Sequence, residues 1–117
     1  MRDKARPALQ RATVLAEDEV LRKPNDATIL SYLASYYGKL DNREKAIGRL
    51  DTALALAPGD SRVLYMAALT YEVLGDRATA LKMLKAALEK GYPAASVRQD
   101  PDLQKLRMDP AFRSLIK

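Results

Sequence analysis

The sequence predicts an all-α protein built from a repeated pair of antiparallel helices. Residues 27–60 align with residues 61–94 without a gap, and a period of this size is typical of stacked helical repeats. In both copies the apolar residues recur at helical spacing, and helix-capping residues stand at matching places. The identical pairs are Leu30/Leu64, Ala34/Ala68, Tyr37/Tyr71, Leu40/Leu74, Arg43/Arg77, Ala46/Ala80, Leu50/Leu84, Ala53/Ala87 and Leu54/Leu88.

Each copy is predicted to contain two amphipathic helices. Apolar residues three and four positions apart form one face of the first helix, namely Leu30, Leu33, Ala34 and Tyr37, then Leu64, Ala67, Ala68 and Tyr71. The second helix repeats this arrangement with Ala46, Leu50, Ala53 and Leu54, then Ala80, Leu84, Ala87 and Leu88. Alanines on these faces mark places where two helix axes approach closely, because a larger side chain would hold them apart.

The boundaries of the predicted helices carry start and stop signals. The expected N-cap residues are Asp26, Asn42, Asp60 and Asp76. Residues 40–42 and 74–76 are short turns, so the two helices of each copy must run antiparallel. Pro24 and Pro58 end the helices that precede the two copies, because proline cannot continue a helix.

These residues resemble the tetratricopeptide repeat (TPR) over residues 25–93, as two full repeats. The likeness rests on the period, the small Ala34 and Ala68, the tyrosine that follows, the Ala-x3-Leu-x2-Ala of the second helix and the closing Pro58. Four departures stand out. Leucines replace the common tryptophan at positions 30 and 64, Ala67 replaces a leucine, Asp41 replaces the turn glycine, and Gly91-Tyr92-Pro93 replaces an immediate proline. All four are compatible with two packed helices.

Residues 4–22 correspond, one period upstream, to the second helix of an earlier repeat whose first helix is missing. Pro24 matches Pro58, whereas Glu19 stands where the next repeat has Ala53. The broad apolar face of this half-repeat is Ala5, Ala8, Leu9, Ala12, Leu15, Ala16 and Val20. Val14 and Leu21 form a second, narrower stripe. Two interpretations stay open: the stripe is simply exposed, or another chain replaces the missing helix there and makes it a candidate dimer stripe.

The C-terminal residues are predicted to cover the end of the second repeat. Asp100-Pro101 and Asp109-Pro110 each pair an N-cap with proline at the first helical position, which predicts short helices near 101–107 and 110–116. Their apolar residues are Leu103, Leu106, Met108, Phe112, Leu115 and Ile116. Repeat arrays need such a terminal cap. The segment also resembles tails that close TPR arrays in larger bacterial signalling and regulatory proteins, which implies that the chain is the C-terminal part of a longer protein.

We therefore expect one domain with four segments: an N-terminal half-repeat (1–24), two repeats (25–59 and 60–93) and a C-terminal cap (94–117). The TPR resemblance implies that the first helices of the repeats line a concave groove that binds a partner. The residues assigned to this groove are Thr28, Ser31, Tyr32, Ser35, Lys39, Arg62, Tyr65, Leu69 and Glu72. Tyrosine and leucine at a groove floor suit an extended peptide or a partner helix. Tyr65 and Leu69 have a competing interpretation, in which they only pack under the C-terminal cap.

Composition argues against catalysis and against metal or cofactor sites. The chain has no histidine and no cysteine, which removes the usual general base and the commonest metal ligands. Its five glycines are dispersed, so no phosphate-binding loop is expected. The net charge of +5 is concentrated near the two termini and forms no continuous basic stripe, which argues against nucleic acid.

The sequence thus predicts a protein-interaction scaffold and not an enzyme, with no cofactor, no metal, no small-molecule substrate and a partner of unknown identity. Two alternatives are a self-assembly element that dimerises through the N-terminal helix and, less favoured, a basic nucleic-acid-binding domain. We expect a monomer or weak homodimer. The lack of a membrane-spanning run and of a signal-peptide pattern makes the cytoplasm the default location. A periplasmic location or a place in a larger chain stays open.

Overall fold

The computed structural model describes the backbone of residues 2–116 and the side chains of residues 6–116. This part of the chain is helical, with turns between the helices and no β-strand. The helices are α1 (Arg2–Arg22), α2 (Ala27–Lys39), α3 (Arg43–Leu56), α4 (Ser61–Val73), α5 (Arg77–Glu89), α6 (Ala94–Gln99) and α7 (Pro110–Leu115), with two 3-10 turns at Pro101–Leu103 and Leu106–Met108. The predicted all-α class is confirmed.

The helix starts repeat with the period of the sequence, because the same capping chemistry opens each helix. The side chains of Asp26, Asn42 and Asp76 accept hydrogen bonds from the backbone N–H three residues later, at 3.1 Å, 3.3 Å and 3.2 Å. Asp60 accepts from the N–H groups of both Arg62 and Val63. All four predicted N-caps are confirmed, and each satisfies backbone donors that no helical carbonyl can reach.

The turns inside the two hairpins also match. Asp41 and Gly75 occupy the same place in the repeat, and both adopt positive φ angles, 62° and 86°. A left-handed residue at this point ends the first helix and reverses the chain. Aspartate tolerates this conformation better than most residues that carry a Cβ, which explains how the turn survives without glycine. Helices α2 and α3 pack as one hairpin, α4 and α5 as the next, and α2 lies beside α4.

The core forms three neighbouring clusters. The N-terminal cluster joins α1, α2 and α3 through Leu30, Leu33 and Ala53, together with Val20. The C-terminal cluster joins α4 and α5 to the residues that follow Pro93. Between them lies a small cluster of Ala34, Leu50 and Ala67 with partly buried neighbours. The residues predicted to face inward are buried, except that Leu54, Tyr71 and Leu88 stay partly exposed at the margins.

Helix α1 packs on α2 and α3 through a face that differs from the predicted one. Thr13 and Val20 are buried, and Ala16 packs against the N-terminal cluster. The expectation that Leu15 and Ala8 belong to this face is wrong, since Leu15 is 66% exposed and Ala8 is exposed too. Thr13 fits in their place because its hydroxyl donates a 2.7 Å hydrogen bond to the carbonyl of Leu9. Ala5, assigned to the same face, lies outside the described side chains.

Glu17 anchors α1 to the first hairpin. Its carboxylate accepts hydrogen bonds from the hydroxyl of Tyr37 on α2 and from the guanidinium of Arg49 on α3, the latter at 2.7 Å. Burial, followed by the contact with the Glu17 carboxylate, raises the pKa of Tyr37 to about 12. Tyr37 is thus kept as a neutral donor, and a single carboxylate ties three helices together.

The residues after Pro93 cover α4 and α5. Their buried side chains are Val97, Leu103, Leu106, Phe112 and Ile116. Asp100 and Asp109 cap the elements that follow them, each with proline in the first turn, as predicted. Two details were wrong. The helix expected near 101–107 is a pair of separate 3-10 turns, and Met108 is 74% exposed. Helix α6 was not expected.

Candidate partner-binding surfaces

Tyr65 was predicted to line an exposed groove, and this prediction is wrong. Its side chain is only 3% exposed and belongs to the C-terminal cluster. The ring stacks on Tyr92 with a centroid separation of 4.0 Å, and the hydroxyl donates to the Asp100 carboxylate. Burial, and then the bond to Asp100, raise the pKa of Tyr65. Leu69, its expected companion, is partly buried against the same cluster. The competing interpretation of these two residues, packing under the cap, matches their surroundings.

The C-terminal segment also reaches across the face formed by α2 and α4. Asp102 carries its carboxylate to 3.6 Å from the ammonium of Lys39, at the end of α2. It closes a small cavity of about 60 Å³ between the ends of the two helices, next to Ser35 and Leu69. This end of the predicted groove is therefore occupied by the chain itself.

The remaining residues assigned to that groove are divided between buried and accessible positions. Ser31 and Ser35 are buried, contrary to expectation, and the Ser31 hydroxyl donates back to the carbonyl of Thr28. Glu72 is held by Arg77 at 2.7 Å, with its side chain largely covered. Accessible surface remains at Thr28, Tyr32, Lys39 and Arg62, of which Arg62 donates to the Tyr32 hydroxyl at 3.5 Å. These residues form no continuous apolar surface.

A second groove, which the sequence did not predict, lies between α1 and α2. It has a volume of about 260 Å³. Helix α1 contributes Ala12, Leu15, Ala16 and Glu19, and α2 contributes Ile29, Tyr32 and Tyr36. Tyr32 is the one lining residue that was assigned to a binding surface beforehand. Small and apolar side chains form most of the groove, two tyrosines supply polar tips, and Glu19 supplies a carboxylate.

Comparison with the residues one repeat later shows which structural element would fill this groove. A shift of one period maps Ala12, Ala16 and Glu19 onto Ala46, Leu50 and Ala53, and maps Ile29 and Tyr36 onto Val63 and Thr70. All five counterparts are buried, because α2 packs against both α3 and α4. The groove therefore has the place that a helix occupies one repeat later. The sequence already matched α1 to the second helix of a repeat, and applying the same shift to α2 would have identified this surface.

An exposed apolar strip runs along another side of α1. Pro7, Val14 and Leu21 are seven residues apart, which places them on one side of a helix. Val14 is 64% exposed and Leu21 is 81% exposed. Gln10 and Arg11 lie beside the strip at its N-terminal half, and Asp18 is exposed in the C-terminal half. Val14 and Leu21, the two residues of the candidate dimer stripe, thus lie outside the face of α1 that packs on the first hairpin.

Glu19 gives the α1–α2 groove its charge. It forms an ion pair with Arg22 one turn later, and the hydrogen bond from Arg22 lowers the pKa of the Glu19 carboxyl. Arg6 and Arg11 lie in the N-terminal half of α1, outside the lining of the groove, and both side chains are exposed. The groove thus has one charged lining residue, Glu19, which Arg22 partly neutralises.

We also searched the described residues for a metal site and for a membrane-spanning helix. Within them, no group of three or more carboxylates is arranged to hold a metal ion. None of the helices that the structure describes combines the length and the apolar character needed to cross a membrane. In comparisons with protein-family models, curated proteins and solved structures, no match to this chain was found.

Proposed function

We propose that this chain is a TPR-type protein-interaction scaffold that binds a partner protein through the groove between α1 and α2. The observation that carries the proposal is the groove itself, because five of its seven lining residues have buried counterparts one repeat later. The TPR assignment is supported by the period of the helix starts and by the matching caps and turns. We place the partner site in this groove and not on the predicted α2–α4 face, because the C-terminal segment occupies part of that face.

The composition of the groove fits a protein partner. Leu15 and Ile29 offer apolar contact area, and Tyr32 and Tyr36 combine large rings with hydroxyl groups. Tyrosine is enriched at protein interfaces because it buries apolar area and still satisfies a polar tip. The exposed Leu15 adds apolar surface of the kind that marks interaction sites on soluble proteins.

Substitution of the groove residues is expected to weaken partner binding. Ala12→Glu combined with Leu15→Glu places two carboxylates on the α1 wall, and we expect at least about tenfold weaker binding. The affinity should be measured by titration calorimetry with a partner recovered by affinity capture. Leu15 is exposed and Ala12 is half-buried at the open groove, and neither belongs to the buried core, so circular dichroism should show unchanged helix content.

Val14→Glu is the matched control for this experiment. Val14 and Leu15 are adjacent and almost equally exposed, but Val14 lies outside the groove. Its substitution should leave partner affinity unchanged. Full affinity of the folded double variant would remove the groove from the binding site and contradict the proposal.

Self-assembly through the exposed strip is the second candidate function. An antiparallel pairing of two α1 helices centred on Val14 would bring Pro7 of each copy close to Leu21 of the other. The same pairing places Arg11 near Asp18, which adds charge complementarity. The strip is thus complementary to a second copy of itself, as a twofold-symmetric interface requires.

We expect sedimentation to show a weak concentration-dependent dimer if this second function operates. Val14→Glu with Leu21→Lys should then give a monomer at all concentrations. Ala12→Glu, on the groove side and outside the strip, should have a smaller effect. A dimer that survives the double change would place the interface elsewhere, and a wild-type chain that stays monomeric throughout would rule out self-assembly.

A further inference from the structure

We infer that the α1–α2 groove binds an amphipathic α-helix of a partner protein, and that this helix runs antiparallel to α1. The inference rests on the proposed function and specifies the chemistry of the partner. Within the repeats, the corresponding place is held by α2, whose Leu30, Leu33 and Ala34 pack against α3. A partner helix therefore needs apolar residues spaced like those of α2, with a small residue where two axes come close.

The dimensions of the groove agree with a helix of modest length. The α1 wall extends from Ala12 to Glu19 and the α2 wall from Ile29 to Tyr36, two turns in each case. Two turns are about 11 Å long, so an occupant of three to four turns covers the groove and overhangs both ends. A helix of that size is marginally stable alone, which favours one that folds on binding or is presented by a folded partner.

The direction of the occupant follows from the hairpin geometry. In each hairpin the first helix ends where the second begins, through a short turn. A helix that takes the corresponding place beside α1 therefore has its C-terminal end near Arg11 and its N-terminal end near Glu19. This direction rests on the repeat geometry, because Glu19 already pairs with Arg22, and Arg22 and Lys23 are exposed at the same end of α1.

Glu19 is the residue that makes the groove selective. Its counterpart is Ala53, which is buried beneath α2. An acidic side chain at this point disfavours an occupant with an acidic first turn and favours one with a basic side chain there. We therefore expect the partner helix to be apolar on one face and basic near its N-terminus.

A peptide with the sequence of residues 25–41 is the direct probe, because α2 fills the corresponding place one repeat later. Binding is measured by fluorescence anisotropy of the labelled peptide. We expect saturable binding that is lost in a peptide carrying Leu33→Glu and Ala34→Glu. Binding should also be lost with Ala12→Glu in the chain, whose counterpart Ala46 is buried, and kept with Val14→Glu.

One substitution in the chain and one in the probe test whether Glu19 faces the N-terminal end of the bound helix and selects its charge. Glu19→Ala gives position 19 the residue of its counterpart Ala53, and because the probe has an acidic residue in Asp26 near its start, we expect about tenfold tighter binding. A probe with Asp26→Lys should bind the unchanged chain more tightly than the original probe does. No binding of either peptide to the wild-type chain or to the Glu19→Ala chain would overturn the inference.

The lack of cysteine in the chain allows a test of direction. A probe with an added N-terminal cysteine should form a disulfide with an Arg22→Cys chain in preference to an Ala8→Cys chain. A probe with a C-terminal cysteine should show the opposite preference. Equal or reversed preferences would refute the antiparallel placement.

A failure of the helix inference can be distinguished from a failure of the proposed function. If the captured partner loses affinity with Ala12→Glu and Leu15→Glu but none of these peptides binds, the groove binds protein and its occupant is not a helix of this type. If the substitutions leave partner binding unchanged, the proposed function itself fails.

Discussion

Deletion of residues 95–117 is expected to leave a chain that does not fold cooperatively. The deletion removes Val97, Leu103, Leu106, Phe112 and Ile116, all buried in the C-terminal cluster. Burial of one large apolar side chain contributes about 1.5–3 kcal/mol, and a whole domain of this size is typically stable by about 5–15 kcal/mol. The loss of five such side chains is therefore comparable to the entire free energy of unfolding.

Thermal and urea unfolding followed by circular dichroism would measure this effect. Phe112→Ala alone should lower the free energy of unfolding by about 3–5 kcal/mol, in a transition that stays cooperative. Met108→Ala is the matched control, because Met108 lies in the same segment with most of its side chain in solvent. We expect it to change stability by no more than about 0.5 kcal/mol. A truncated chain with the melting temperature of the intact one would show that the segment is not a structural cap.

Replacement of Tyr65 is expected to have the largest effect of any single substitution on α4. Tyr65→Ala removes the stacking on Tyr92 and opens a cavity under the C-terminal segment. We expect a loss of about 3–5 kcal/mol in the free energy of unfolding, because the buried ring cannot be replaced by solvent. The sequence alone assigned this residue to partner binding, with packing under the C-terminal cap as the competing interpretation.

Tyr65→Phe separates the hydroxyl from the ring. The phenylalanine keeps the stacking but removes the donor to Asp100, which also accepts a backbone hydrogen bond from Asp102. Water can reach the half-buried Asp100, so the expected loss is about 1 kcal/mol. Urea unfolding of both variants measures the difference between them. Equal stabilities of Tyr65→Ala and the wild-type chain would mean that the C-terminal segment does not cover α4.

The helical fold was predictable because its signals are local and recur. Asp26 and Asp60, or Asn42 and Asp76, cap helices by bonds to residues two or three positions away, so a short window of sequence contains the whole interaction. The buried faces were predictable for a similar reason. A helix with one apolar side has one arrangement that removes that side from water, as Leu30, Leu33 and Ala34 illustrate.

The binding surface was less predictable because it depends on contacts between distant residues. Tyr65 meets Asp100, thirty-five residues away, and nothing near either residue in the sequence signals that contact. Val14 and Leu15 are adjacent apolar residues that the helical pattern assigned to different surfaces, whereas both side chains are exposed. Leu15 and not Val14 borders the groove, because α1 packs on the first hairpin through Thr13, Glu17 and Val20, contacts that the sequence does not reveal.

The division of the core has a consequence for how the molecule opens. The N-terminal and C-terminal clusters meet through a middle cluster of Ala34, Leu50 and Ala67, bordered by the partly buried Leu54, Tyr71 and Met83. Structures with nearest-neighbour packing unfold in parts, beginning with the elements that have the fewest packed neighbours. Helix α1 packs mainly on α2, whereas α4 packs on both α2 and α5, so amide protons of α1 should exchange through partial openings, while those of α4 and α5 exchange in rarer, larger events. A ligand in the α1–α2 groove would slow the exchange of the α1 amide protons and leave that of the α4 and α5 amide protons almost unaltered. Partner binding would thus be measurable as protection of one part of the molecule against local opening.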